Sequence, residues 1–162
     1  MADRMMPKVY IETTIVSYLT AWPSRDVLRL SHEIATREWW ELRRASFSLY
    51  VSAFVMEEAS AGDPIAAKER LETLMGIPLL PTTPEVKNLA NRLSVAMSLP
   101  RRAFVDAAHV ATAPVYGVEF LLTWNCTHLA NGMLAGKIEE TCAASGYKSP
   151  RIVTPIMLMG VP

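Results

Sequence analysis

Short runs of β-branched and aromatic residues alternate with helix-length amphipathic segments along the whole of this chain. The strand-like runs stand at 9–14, 47–52, 77–81, 118–124 and 151–155, and each is separated from the next by apolar residues at helical spacing. Connections that long are what parallel strands need, since antiparallel neighbours can be joined by a tight hairpin. Helices in the crossovers then cover both faces of the sheet. The sequence therefore predicts an α/β fold, a three-layer α/β/α sandwich around a parallel sheet of four to five strands, in one domain over 1–162. In sheets of this kind ligands sit beyond the carboxyl ends of the strands.

Local signals fill in the order. Ala21-Trp22-Pro23 ends a short helix after the first strand, and Ser24 is read as the cap of the next, with Asp26 in its first turn and Arg43 and Arg44 at its end. Of Trp39 and Trp40 on that helix, one is expected in the core and the other near the surface. The two prolines of 77–81 suit an edge strand. Thr83 followed by Pro84 is a helix start, and Val86, Leu89, Ala90, Leu93 and Met97 form the stripe behind it. A mostly apolar, hence buried, helix follows around Asp106, which Pro114 should kink or end, and a last helix is expected from about His128 to Ala144.

Composition limits the function. Apolar residues make up 51% and charged residues 20%, which describes a globular chain. Sixteen basic residues balance sixteen acidic ones, so any grip on nucleic acid must come from a local patch. The two cysteines, Cys126 and Cys142, form no C-x-x-C pair and fit a reducing compartment. Residues 1–7 lack the apolar core of a secretory leader, and no run approaches the roughly 18 apolar residues of a membrane span. A cytoplasmic protein without membrane association is expected.

Acidic residues stand where the strands end. Glu12 follows the first strand, Glu57 and Glu58 follow the second, Asp106 opens the buried helix, and Asn125 follows the fourth strand. A buried charge is costly unless paired, so Glu12 and Asp106 ask for a partner. Oxygen donors alone select hard cations, Mg²⁺ or Mn²⁺. Such an ion, with open water positions, suits phosphodiester hydrolysis because it can activate water and neutralise charge at the phosphate. No Gly-rich phosphate loop or G-x-S-x-G competes for the role. The plainer readings are a solvated Glu57, a His109 packed in the core or in support of Asp106, and a Cys126-x-His128 pair too small for a soft-metal site. Arg101 and Arg102 either steer phosphate toward Asp106 or solvate their loop.

The residues in this order resemble the PIN-domain family, and within it the VapC-type ribonuclease toxins of bacterial toxin–antitoxin pairs. The resemblance spans nearly the whole chain: a first strand ending in Glu12-Thr13-Thr14, Ser52 with Glu58 and Gly62, the 106–113 stretch Asp-Ala-Ala-His-Val-Ala-Thr-Ala, and Leu122-Thr123-Trp124-Asn125. It implies a metal-dependent endoribonuclease with Glu12, Glu58 and Asp106 as catalytic acids holding Mg²⁺ or Mn²⁺. Thr14, Thr123 and Asn125 would support them. It further implies an RNA substrate, a cognate antitoxin and a homodimer. The chain departs from the family pattern twice, with Glu12 where Asp is usual and Asn125 where a fourth acid is usual. Those departures leave open a PIN-like module that binds RNA or protein without cutting. A receiver domain that takes Mg²⁺ fits poorly, because strand one is followed by a single acid.

Overall fold

The computed structural model describes residues 5–160, so most of the N-terminal segment judged for a leader lies outside the described residues. Five strands, β1 (Lys8–Ile11), β2 (Ser48–Ser52), β3 (Leu79–Leu80), β4 (Phe120–Leu122) and β5 (Arg151–Val153), form one sheet in the order β3-β2-β1-β4-β5. Every pairing is parallel, with Tyr10 opposite Tyr50 on one side and Leu121 on the other. Val9, Tyr10 and Ile11 are fully buried, as expected of a central strand covered on both faces.

The chain lays β2 and β3 outward from β1, then returns to place β4 on β1's other side. Right-handed crossovers in opposite directions put the two sets of helices on opposite faces. In the first half α1 (Thr13–Thr20) packs against α2 (Val27–Leu42), α3 (Ala53–Ser60) and α4 (Pro64–Leu74). In the second half α5 (Pro84–Ala96) packs against α6 (Phe104–Val115) and α7 (Gly132–Ala144). The strand order reverses between β1 and β4, the switch point at which sheets of this kind form the crevice that binds ligands.

Local chemistry explains most boundaries. The Thr83 hydroxyl accepts from Val86 N–H with Pro84 in the first turn, and Val86, Leu89, Ala90 and Leu93 are buried. Leu79–Leu80 is an edge strand, as its flanking prolines predict. Trp39 is fully buried, while Trp40 is half-buried with the Arg44 guanidinium 4.7 Å above its ring.

Two boundaries differ from the sequence expectation. The cap of α2 is Asp26, which accepts from Arg29 N–H at 2.8 Å. Ser24 instead accepts from Asp26 N–H, and its own N–H donates to the buried Glu33 carboxylate. The last helix begins at Gly132 rather than near His128. The Asn125 carbonyl accepts from Leu129 and Ala130, and its side-chain oxygen accepts from His128 N–H, which holds 125–130 as a turn until Asn131 caps α7. Pro114 sits in the last turn of α6, and Gly117 turns the chain into β4 at φ +61°. No described helix is long and apolar enough to cross a membrane.

Candidate metal centre

Glu12 stands where β1 gives way to α1, in extended conformation, with its N–H on the Leu122 carbonyl at 3.1 Å. Only 4% of it is exposed. One carboxylate oxygen, Oε2, accepts from both Thr14 Oγ1 at 2.5 Å and Thr123 Oγ1 at 2.6 Å. The two hydroxyls are themselves held by the chain after β4: Thr14 Oγ1 accepts from Trp124 N–H and Thr123 Oγ1 from Asn125 N–H. Each hydroxyl thus takes a backbone hydrogen and gives its own to Glu12. The other oxygen, Oε1, accepts nothing from the described residues. The two threonines orient this carboxylate and leave half of it available.

Glu58 reaches the same place from α3. Its Oε2 accepts from Thr13 Oγ1 at 2.5 Å and lies 2.7 Å from His109 Nε2. The imidazole of His109 comes from α6 and is fully buried. Its Nδ1 lies 2.7 Å from the Tyr10 hydroxyl, which lies 2.7 Å from Ser52 Oγ. Tyr10 and Ser52 are fully buried too. A line of hydrogen bonds therefore runs from the end of β2 through β1 and α6 to the mouth of the site.

Charge follows that line. Burial works against the charged form of Glu58, but the hydrogen bond and charge of His109 and the Thr13 hydroxyl outweigh it, and the carboxyl titrates below its ordinary value. Burial likewise opposes an imidazolium at His109. The Glu58 hydrogen bond and the charges of Glu12, Glu58 and Asp106 prevail, so its pKa is raised. Burial pushes the Tyr10 hydroxyl well above its ordinary range, so it stays protonated. A doubly protonated His109 donates from Nδ1 to Tyr10, and Tyr10 donates to Ser52.

The signs give a stability profile for the metal-free protein. A lowered carboxyl stabilises the fold above its unfolded pKa, and that contribution is lost as pH falls through the folded value. A raised imidazole stabilises it below its unfolded pKa, and that contribution is lost as pH rises through the folded value. Both are fully present between 4.5 and 6.5, the ordinary values of the two groups. One ion pair underlies both limbs and counts once. Melting temperature in chelator should therefore peak in this window and fall on both sides. In Glu58→Gln it should lose that dependence; an unchanged profile in the variant would remove the pair as its cause.

Asp106 lies in the first turn of α6, with its side chain 19% exposed. Its Oδ2 is 2.6 Å from His128 Nδ1, and its Oδ1 accepts from Asn125 Nδ2 at 3.1 Å. The Asn125 amide is fixed by this pairing, because its Oδ1 faces a backbone N–H and its NH₂ faces a carboxylate. Asn125 therefore turns no oxygen toward Asp106. Among the described residues, the acidic and histidine side chains that bring three donor atoms within 4.8 Å of one another are Glu12, Glu58 and His109. Asp106 stands beside that group, near enough for its charge to act on His109. Glu57 is exposed and is not among those three, and Arg101 and Arg102 are exposed in the 3₁₀ turn that leads into α6.

The sequence places His109 in the core or in support of Asp106 and offers His128 only as half of a pair too small for a soft-metal site; the structure sets His109 on Glu58 and His128 on Asp106. A lone histidine on an apolar helix face reads as core, which is true of His109 by burial. The available signal was its spacing, three residues after Asp106 and so on the same face of α6.

No family model matches this sequence, and no curated protein is significantly similar to it. Solved structures do share its fold. The VapC20 toxin of Mycobacterium tuberculosis, described as cleaving the sarcin–ricin loop, superposes with a TM-score of 0.59 at 16% identity, over 76% of this chain and 95% of the toxin's. The VapBC2 complex of Rickettsia felis, bound to a promoter DNA fragment, gives 0.56 at 11% identity, over 91% of this chain and 98% of the matched one. The chain shares its fold, a parallel α/β sheet covered on both faces, with these two structures.

Proposed function

We propose that this chain is a single-domain, metal-dependent endoribonuclease of PIN type, acting in the cytoplasm as the toxin of a toxin–antitoxin pair. One observation carries the reading. At the crevice between β1 and β4, Glu12 and Glu58 are each held through a single oxygen, and the other oxygen of each accepts no hydrogen bond from the described residues. That donor set fits a divalent cation, Mg²⁺ or Mn²⁺, with Asp106 adding a third negative charge beside it. When bound, the ion supplies an activated water and charge neutralisation at the phosphate. Thr14 and Thr123 fix the direction of Glu12. Asn125 and His128 fix Asp106, and the exposed Arg101 and Arg102 give phosphate an approach of opposite charge.

The toxin role draws on the fold shared with VapC20 and with the VapBC2 complex. On this reading the chain cuts RNA, dimerises, and is held inactive by a small cognate antitoxin.

The test is cleavage of a structured RNA by the purified chain. Cleavage should vanish in chelator and return with Mn²⁺. Asp106→Asn should lower it by about 10–100-fold, the usual effect of disturbing the support of a metal site. Wild-type rates in Asp106→Asn would remove that residue from the site. No Mn²⁺ binding by calorimetry, together with no cleavage at any metal concentration, would favour a PIN-like module that binds without cutting.

A further inference from the structure

We infer that His109 is itself a metal ligand, and that its nitrogen turns the site's preference from Mg²⁺ toward Mn²⁺ and the later first-row divalent ions. The inference rests on the metal-dependent reading above and specifies its donor set. A carboxylate oxygen of Glu12, one of Glu58 and a ring nitrogen of His109 all lie within 4.8 Å of one another. An ion bound to such atoms at about 2.0–2.2 Å places neighbouring donors roughly 3 Å apart. Small rotations of Glu58, whose side chain is 40% exposed, close the remaining distance.

His109 has no such freedom, and its rigidity is the second observation. Metal-binding histidines are as a rule held at their other ring nitrogen by a fixed oxygen partner, which sets the ring's orientation. Here Tyr10 occupies that position at 2.7 Å and is anchored in turn by Ser52, with all three side chains fully buried. Nδ1 is thereby committed to the core, and Nε2, which in the metal-free protein shares a proton with Glu58 at 2.7 Å, would release that proton to solvent and offer its lone pair to the ion. The relay fixes the ring from the centre of the sheet, so its Nε2 edge keeps one direction while the partly exposed Glu58 can move.

The chemical consequence is selectivity. Mg²⁺ is hard and keeps oxygen ligands, whereas imidazole suits the first-row transition ions. Two carboxylates with one imidazole should therefore discriminate against Mg²⁺ more strongly than three carboxylates would.

Calorimetry and pulsed electron paramagnetic resonance on the full-length chain test this. Mn²⁺ should bind at least about tenfold more tightly than Mg²⁺, and the Mn²⁺-loaded protein should show coupling to an imidazole nitrogen. The chain has three histidines. His32 is stacked 4.0 Å from Trp124 and His128 is engaged by Asp106. Coupling should persist in His32→Asn and in His128→Asn and vanish in His109→Asn. If His109→Asn fails to fold, persistence in the other two assigns the nitrogen by elimination. Bound Mn²⁺ without nitrogen coupling in the wild type, coupling lost in His128→Asn, or equal affinity for Mg²⁺ and Mn²⁺ would overturn the inference while leaving the metal-dependent reading standing. Failure to bind any divalent ion would overturn both.

Discussion

Glu12→Gln should lower Mn²⁺-dependent RNA cleavage by about 10²–10³-fold while leaving the fold in place. The size follows from the several kcal/mol that a metal ion contributes at a phosphoryl transition state, at tenfold per about 1.4 kcal/mol. The substitution keeps the side chain's length and an oxygen able to accept from Thr14 and Thr123, so the junction between β1 and α1 keeps its hydrogen bonds. What it removes is the negative charge, and with it the carboxylate oxygen that no described residue engages. Calorimetry should show weakened Mn²⁺ binding and circular dichroism an unchanged spectrum. Wild-type cleavage by a folded Glu12→Gln would remove Glu12 from the metal site. Glu12→Asp is the informative companion. Its carboxylate is drawn back by one methylene from threonines that β4 fixes in place, so partial activity should return only as far as those hydroxyls can follow it.

The fold was legible because it rests on periodicity. Parallel strands buried on both faces read as apolar runs, and Val9-Tyr10-Ile11 and Phe120-Leu121-Leu122 are such runs in sequence and in space. Boundaries were less legible where side chains competed. Ser24 and Asp26 are both good caps, and a tertiary contact decided between them: the buried Glu33 carboxylate draws in Ser24 N–H and leaves Asp26 to cap the helix. The late start of α7 depends on Asn125, whose side chain and carbonyl together hold a turn that an apolar pattern cannot reveal.

The candidate site divides along the same line. Glu12 and Glu58 stand out in the sequence as acids after strands, and the sheet brings them together. Thr14 serves Glu12 locally, but that Thr13 serves Glu58 and Thr123 serves Glu12, each hydroxyl following one strand and the acid it serves following another, is a property of the β1–β2 and β1–β4 pairings and not of any local stretch. His109 was half legible: its apolar neighbours predict burial and its spacing predicts support of Asp106, whereas its hydrogen bond to Glu58 depends on α3 packing beside α6, which no local stretch reveals.

Ile11→Ala should cost about 2–5 kcal/mol, the range for deleting most of a fully buried aliphatic side chain and leaving a cavity that the surroundings fill only in part. Ile11 has no exposure and lies in the middle strand, opposite Leu122 and one residue before Glu12. Close packing on both faces gives the cavity little room to collapse. For a chain of this length each kcal/mol shifts the melting temperature by about 2–4 °C, so a fall of roughly 4–20 °C is expected. Urea unfolding should show a lower midpoint with an unchanged slope. The same variant separates the core from the site. Saturating Mn²⁺ should raise its melting temperature as it does in the wild type, because a ligand at about one hundred times its dissociation constant adds about 2.7 kcal/mol to the folded state. In Glu12→Gln that metal-induced rise should be lost although the core is intact. If Mn²⁺ stabilised Glu12→Gln as much as Ile11→Ala, the ion would be binding elsewhere, and the crevice between β1 and β4 would not be the metal centre.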